Sequence, residues 1–253
     1  MVEIIVIVLI VGIFWLLMRA YKSFITRRMK MKLGVVQVLN DGAIVEAMDA
    51  DILPSSELPF NGNLLASFFA TYLVMRESKG AGNWHGLLSA YLFKWEIEGI
   101  IQSEMTSETD ARLIFTEIVP TEAIELELYE ILKSNDMFGD AGFDYDKLKD
   151  WSKKVLALGE AELLEAKDVA FDQKGRIRFT RQGYKKSLDH GSFAKYFMTL
   201  SSVTFCELDF QRQQQELSFA LLLELTEDIE KVVGTNGNVS VVLKAADRVW
   251  RVL

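Results

Sequence analysis

The N-terminal segment of this chain constrains its fold more than any other part of the sequence. The first 18 residues contain one charge, Glu3, whereas residues 19–32 contain six basic residues and no acidic one. As an α-helix, Val2–Met18 would rise about 25 Å, which approaches the roughly 30 Å of a bilayer's hydrocarbon core once Arg19 extends toward the headgroups. We therefore predict that residues 1–21 form a single membrane-spanning anchor.

The charges beside the apolar run distinguish an uncleaved anchor from a cleaved signal peptide. A signal peptide carries basic charge before its apolar core and small residues at a cleavage site after it. Here Glu3 precedes the core and bulky residues end it at Phe14–Leu17, so we favour the anchor. By the positive-inside rule, the N-terminus then lies outside the cell and the rest of the chain in the cytoplasm. The basic flank, which also attracts anionic lipid headgroups, consists of Arg19, Lys22, Arg27, Arg28, Lys30 and Lys32.

The remainder of the chain is strongly acidic. Residues 33–253 contain 22 basic and 35 acidic side chains, a formal charge of −13. Such a surface repels phosphate backbones, so a nucleic-acid partner would need a locally basic face, and we disfavour it. The single cysteine, Cys206, permits no internal disulfide, which agrees with a reducing cytoplasm.

Hydrophobic spacing predicts the organisation of the first folded unit. Residues 22–62 are interpreted as a basic juxtamembrane segment and linker. Apolar residues then recur at spacings of three and four from Leu64 to Leu73 and from Leu87 to Trp95, which predicts two helices. Two β-rich stretches around a polar turn follow and predict a hairpin. Residues 63–119 therefore have a winged-helix-like outline.

A second unit of the same kind is predicted over residues 120–182. Its expected elements are a helix from Pro120, a helix over Asp144–Lys154, a helix over Val155–Val169, and a strand over Arg176–Thr180. The pattern is again winged-helix-like.

The remaining residues, 183–253, are predicted to form a helical C-terminal region. We expect one long helix over Leu208–Val233 and a final amphipathic helix over Val242–Leu253. The predicted class is therefore mainly α with small β hairpins (α+β). Aromatic stripes are expected to pack in the core rather than to form partner surfaces; they are Phe68, Phe69 and Tyr72, and Phe193, Tyr196 and Phe197.

Several segments resemble a known family. Glu125–Leu132, Tyr145–Lys154, and Gly183–Lys186 followed by Phe193–Phe197 resemble the cytoplasmic region of the YciQ-like family of uncharacterised, predicted bacterial membrane proteins. The resemblance covers about residues 60–233. It implies a membrane topology and a fold, and it supplies no catalytic residue to transfer.

The sequence contains few residues suited to catalysis or metal binding. Its two histidines, His85 and His190, lie outside the spacings that place two ligands on one helix face, so we predict no metal site. We expect His85 to help cap the helix after Asn83 and His190 to be an exposed turn residue. Cys206 is predicted to be a small buried residue rather than a nucleophile.

Other ligand motifs are equally sparse. The carboxylates of Asp140, Asp144, Asp146 and Asp150 do not match an EF-hand loop and are interpreted as a solvated loop and helix N-terminus. The phosphate-binding patterns GxxxxGK and GxGxxG and the nucleophile motif GxSxG do not occur. We therefore predict a protein that is not an enzyme and needs no cofactor.

The favoured hypothesis is a membrane-anchored scaffold that contacts another protein through its winged-helix-like domains. The rival is a membrane-tethered DNA-binding regulator. Its recognition helix would hold Lys147, Lys149, Lys153 and Lys154. The best candidate binding surface, which we call the basic patch, consists of Lys174, Arg176, Arg178, Arg181, Lys185 and Lys186. An ordinary solvated patch is the alternative, because Asp168, Asp172 and Asp189 lie nearby in sequence.

Overall fold

The computed structural model describes residues 53–77, 83–107, 110–134, 145–172, 174–233 and 241–246. Within these residues the chain is mainly helical with two small antiparallel sheets, so the predicted α+β class is confirmed. None of the helices in the described residues is both long and apolar enough to cross a membrane. The predicted anchor and its basic flank lie outside the described residues, as do Asp140 and Asp144.

The first elements follow the predicted helix, helix, hairpin order. Their bounds are α1 Leu64–Glu77, α2 Trp84–Ile97, β1 Ile101–Ser107 and β2 Asp110–Phe115. Both helices begin at an asparagine whose side-chain oxygen accepts a main-chain N–H: Ala66 donates to Asn63 over 2.9 Å and Gly86 to Asn83 over 3.2 Å. Asn83 thus supplies the cap of α2 itself, and Nδ1 of His85 lies 3.4 Å from Glu224. The two strands pair antiparallel, with Ile101 opposite Phe115.

The middle of the chain differs from the prediction in its helices. The elements are α3 Ala123–Ser134, α4 Tyr145–Glu165, β3 Val169–Phe171 and β4 Ile177–Phe179. The two helices expected around Lys154 are one continuous helix, so that prediction is wrong. Leu148, Trp151 and Val155 are all buried at spacings of three and four, and no glycine or proline lies between them. The indole N–H of Trp151 donates to the carbonyl of Ile124 over 2.9 Å, which joins α4 to α3.

The C-terminal part contains shorter helices than expected. They are α5 Arg181–Ser187, α6 Asp189–Thr199, α7 Ser202–Cys206, α8 Phe210–Leu222 and α9 Thr226–Val233, and residues 241–246 are also helical. The single long helix predicted up to Val233 is wrong, because the chain turns at Glu224, whose φ is +56°. The Leu225 N–H donates to the Ala220 carbonyl over 2.9 Å, the pattern of a helix-ending Schellman motif. Packing of Leu225 and Ile229, both buried, fixes this turn without a glycine.

One large hydrophobic core joins the elements that later form the candidate site. It includes buried residues of α2, α3, α4, α6, α8 and α9, and a smaller core lies between α1, the end of α4 and the second hairpin. The predicted core role of the aromatic stripes is confirmed for Phe68, Phe69, Phe193 and Phe197, which are all buried. The large core draws on all three units predicted from the sequence, whose boundaries and winged-helix character stay predictions.

Two side chains have the opposite exposure to the one predicted. His190 is only 2% exposed, packs against the ring of Phe60, and its Nδ1 lies 3.1 Å from the carbonyl oxygen of Ser187. Burial lowers the pKa of His190 to about 4, so the ring is neutral at pH 7. Cys206 is exposed, whereas its neighbour Phe205 is buried. Successive residues of a helix differ by about 100° in direction, so α7 buries only one of the two.

Candidate functional site

The basic patch follows the second hairpin into α5, but carboxylates neutralise much of its charge. Arg176 Nη2 lies 2.9 Å from Asp172 Oδ2, and Arg178 Nε lies 3.7 Å from the same oxygen. Lys186 Nζ lies 2.8 Å from Asp168, whose side chain is 1% exposed. Three of the six cations therefore have an acidic partner.

The remaining three cations of the basic patch are exposed. They are Lys174, Arg181 and Lys185, for which the described residues provide no ion pair. The main-chain N–H of Arg176 and then that of Lys174 donate to Asp172, and these hydrogen bonds hold the pKa of its carboxyl below the usual value. The turn is thus built around a carboxylate, which reduces its attraction for phosphate.

The lysines proposed for a recognition helix lie on the exposed side of α4. Lys153 Nζ lies 2.7 Å from Asp150, and Lys154 Nζ lies 2.6 Å from Glu127. This face is therefore a mixed surface of ion pairs, which is typical of a solvated helix.

A different site emerges where α2 and α8 meet α3, α4 and the start of α1. A cleft of about 530 Å³ lies between these helices. Its volume falls within the range of about 300–1,000 Å³ that is typical of ligand clefts. We call it the acidic cleft, after its charged lining residues: Glu98, Glu122, Glu125, Glu162 and Lys94.

The one lysine of the acidic cleft is already bound by one of its carboxylates. Lys94 Nζ lies 2.7 Å from Glu125 Oε1, and the indole N–H of Trp95 donates to Glu125 Oε2 over 2.9 Å. Burial alone would lower the pKa of Lys94, but the hydrogen bond to Glu125 and the charges around it raise the pKa above its usual value. Lys94 is therefore charged and compensates Glu125.

The other three carboxylates of the cleft have no such partner. No ion pair within the described residues involves Glu98, Glu122 or Glu162, and Oε2 of Glu162 is buried without a hydrogen bond among those residues. Burial raises the pKa of Glu98; Lys94 opposes this effect, and Glu125 and Glu122 add to it. The cleft therefore carries an uncompensated negative charge.

A buried tyrosine also contributes its hydroxyl to the acidic cleft. Tyr91 is 3% exposed and lines the cleft, yet its hydroxyl makes no hydrogen bond with any described residue. Burial, followed by the charges of Glu125, Glu122 and Glu162, raises the pKa of Tyr91 well above its usual value. The hydroxyl stays protonated and remains available for a hydrogen bond from or to a ligand.

Neutral polar and apolar side chains complete the lining. On α8 they are Gln211, Gln214, Gln215, Ser218 and Phe219, and on the facing helices Leu64, Leu65 and Ile97. The side chain of Asp209 begins α8 by accepting the N–H of Arg212 over 2.8 Å. At the end of α8, Asn83 Nδ2 donates to the carbonyl of Leu222. This hydrogen bond holds the start of α2 against the end of α8.

The sequence alone did not reveal the acidic cleft. In the sequence, Gln211–Glu216 is typical of the polar start of a helix. The glutamates of the cleft are typical of solvated surface charges. One local signal exists, because Tyr91, Lys94 and Glu98 are spaced by three and four. This spacing places Tyr91 and Lys94 on one face of α2 and Glu98 at the C-cap that follows it. The partners on α3, α4 and α8 are remote in sequence and gave no comparable signal.

The described residues offer no metal site, and the comparisons identify no relative. No three histidine, cysteine, aspartate or glutamate side chains converge closely enough in this part of the chain to hold a metal ion. No protein-family model, curated protein or solved structure matches the chain. The resemblance to the YciQ-like family therefore stays a prediction.

Proposed function

We propose that this chain is a non-enzymatic protein-interaction module held at a bacterial cell membrane by its N-terminal anchor. In this proposal the anchor crosses the membrane once, and the tandem winged-helix-like domains with the helical C-terminal region face the cytoplasm, as in the YciQ-like family. The observation that carries the proposal is the acidic cleft, with its uncompensated carboxylates and the hydroxyl of the buried residue Tyr91.

The character of the cleft favours a protein partner over a small apolar ligand. It combines apolar side chains with amide and carboxylate groups, and such a lining suits a polypeptide that offers both methylene groups and polar atoms. The formal charge of −13 over residues 33–253 also favours a partner with a basic surface, since complementary charge speeds association.

Site-specific photocrosslinking in intact membranes tests this proposal. We place benzoylphenylalanine at Gln215, an exposed residue of the cleft lining, and at Gln102, an exposed glutamine of β1 outside it. The expected result is a protein adduct of defined mass at position 215 that is missing at position 102. The adduct should disappear when Glu122→Gln and Glu162→Gln are combined. Identical adduct patterns at the two positions, or none at either, would contradict the proposal.

A DNA-binding regulator is the second candidate, favoured by the exposed Lys174, Arg181 and Lys185. We expect the full chain in neutral detergent to show no binding to duplex DNA with a Kd below about 1 µM at roughly 200 mM salt, because half of the basic patch is compensated by carboxylates. Fluorescence anisotropy over a salt series measures this. Affinity that falls steeply with salt and disappears when the three residues become serine would support the regulator instead.

A further inference from the structure

We propose that the acidic cleft binds the cationic side chain of a lysine or arginine in a basic segment of the partner protein. This inference rests on the proposed function, because it names the chemistry of the partner that the interaction module contacts. It follows from the charges, the free hydroxyl and the lining of the cleft.

The charge of the cleft selects a cation. Lys94 is held 2.7 Å from Glu125, so the two charges largely cancel. Glu98, Glu122 and Glu162 remain around the same volume. Three carboxylates that line one cleft attract an ammonium or guanidinium group, and the attraction is greatest at Glu162, whose Oε2 is buried, whereas Glu98 and Glu122 are exposed.

The hydroxyl of Tyr91 points to a ligand with N–H donors. Tyr91 is 3% exposed and lines the cleft, and its hydroxyl makes no hydrogen bond with a described residue, so a ligand bound in the cleft can supply the missing partner. Because burial, followed by the charges of Glu125, Glu122 and Glu162, raises the pKa of Tyr91 and keeps its hydroxyl protonated, its oxygen can accept an N–H from a bound cation. An anionic ligand would instead meet the repulsion of the same glutamates.

The rest of the lining suits the other parts of a lysine or arginine residue. Leu64, Leu65 and Ile97 offer an apolar surface to its methylene stem. Gln211, Gln214 and Gln215 carry amide groups that can hydrogen-bond to the main chain of an extended peptide. Both kinds of contact occur in the same cleft as the unpaired carboxylates.

Fluorescence anisotropy with a labelled hexalysine peptide tests the inference on the full chain in neutral detergent. We expect salt-sensitive binding that weakens at least about tenfold in the double variant Glu122→Gln, Glu162→Gln, because two charge contacts each contribute a few-fold. Tyr91→Phe, which keeps the ring and removes only the hydroxyl, should weaken binding about fivefold, the share of one hydrogen bond. Thermal unfolding of each variant verifies that it is folded.

The matched control removes two negative charges from residues outside the cleft. Glu207 and Glu230 are exposed and lie outside the cleft lining, and changing both to glutamine should alter affinity less than twofold. Equal weakening by the control pair would show attraction by net charge alone and would overturn the inference. No binding of hexalysine by the native chain would do so as well.

A last variant tests whether the cleft is occupied by a partner protein or by the basic flank of the chain itself. In this variant the six basic residues between Arg19 and Lys32 are changed to serine, and peptide affinity should stay within twofold. Much tighter binding would show that the flank itself occupies the cleft, which overturns the assignment to a partner. A crosslinked adduct at position 215 without hexalysine binding would leave the interaction module standing and reject only the basic ligand.

Discussion

Replacing Gly183 with alanine is expected to destabilise the fold by about 3 kcal/mol or more. Gly183 is a buried residue of α5, and a Cβ atom there would lie 2.5 Å from the carbonyl carbon of Asp168 and overlap its oxygen. Both atoms belong to the main chain, so no side-chain rotation relieves the overlap. Urea denaturation of the full chain in detergent, followed by tryptophan fluorescence, measures the loss.

The local hydrogen bonds explain why α5 cannot simply move away. Thr180 Oγ1 accepts the N–H of Gly183 over 3.1 Å and donates to the carbonyl of Lys167 over 2.9 Å, and the N–H of Thr180 donates to the Asp168 carbonyl over 2.9 Å. Lys185→Ala is the control on the same helix, and because Lys185 is exposed it should change stability by less than about 0.5 kcal/mol. If Gly183→Ala were equally mild, the close approach of α5 to the main chain of Asp168, directly before β3, would be disproved.

Arg212→Met is expected to cost about 3–5 kcal/mol, because it leaves a buried carboxylate without its cation. Glu216 is 0% exposed, and its Oε1 lies 2.7 Å from Arg212 Nε. The hydroxyl of Tyr196 also donates to Glu216 over 3.2 Å, and burial, reinforced by the charge of Glu216, raises the pKa of Tyr196. One hydroxyl cannot replace a guanidinium as the partner of a buried charge. Urea denaturation measures the difference from the native chain.

The double variant Arg212→Met, Glu216→Gln tests whether the unpaired charge of Glu216 causes the loss of stability. Removing the buried charge together with its partner should restore more than half of the lost stability, since a neutral amide still accepts the Tyr196 hydrogen bond. A double variant as unstable as Arg212→Met alone would show that Arg212 acts through its packing and its hydrogen bond to the Ser56 carbonyl. The buried ion pair would then not be the source of the effect.

The parts of the fold that the sequence predicted are those set by local patterns. The apolar spacing of α1 and α2 and the two β-rich stretches of the first hairpin act over fewer than twenty residues each, and the structure contains both helices and the paired strands β1 and β2. The errors arose where distant packing decides the outcome. Glu224 adopts a left-handed conformation because the residues after it pack into the core. Leu222–Leu225 contains no glycine, asparagine or proline that would predict the end of a helix.

The candidate site was harder to predict for a related reason. The sequence predicted the basic patch because its residues lie close together along the chain, but their pairing with Asp168 and Asp172 depends on side-chain directions that only the fold defines. The acidic cleft joins residues as distant as Tyr91 and Gln215. A glutamate in a sequence is expected to be a solvated surface charge, and only tertiary packing shows that Glu122, Glu125 and Glu162 share one cleft with Tyr91.

The hydrogen bonds of Ser55 and Ser56 determine which helices would receive tension applied to the preceding chain. The Ser55 N–H donates to the carbonyl of Ser192 over 3.1 Å on α6, and Arg212 of α8 donates to the Ser56 carbonyl. Tension on the preceding chain would therefore reach α8 through Arg212, between the two cleft residues Gln211 and Gln214. A pull on the chain before Ser55 would act directly on a wall of the acidic cleft, so the same helix would bear both the tension and the proposed ligand.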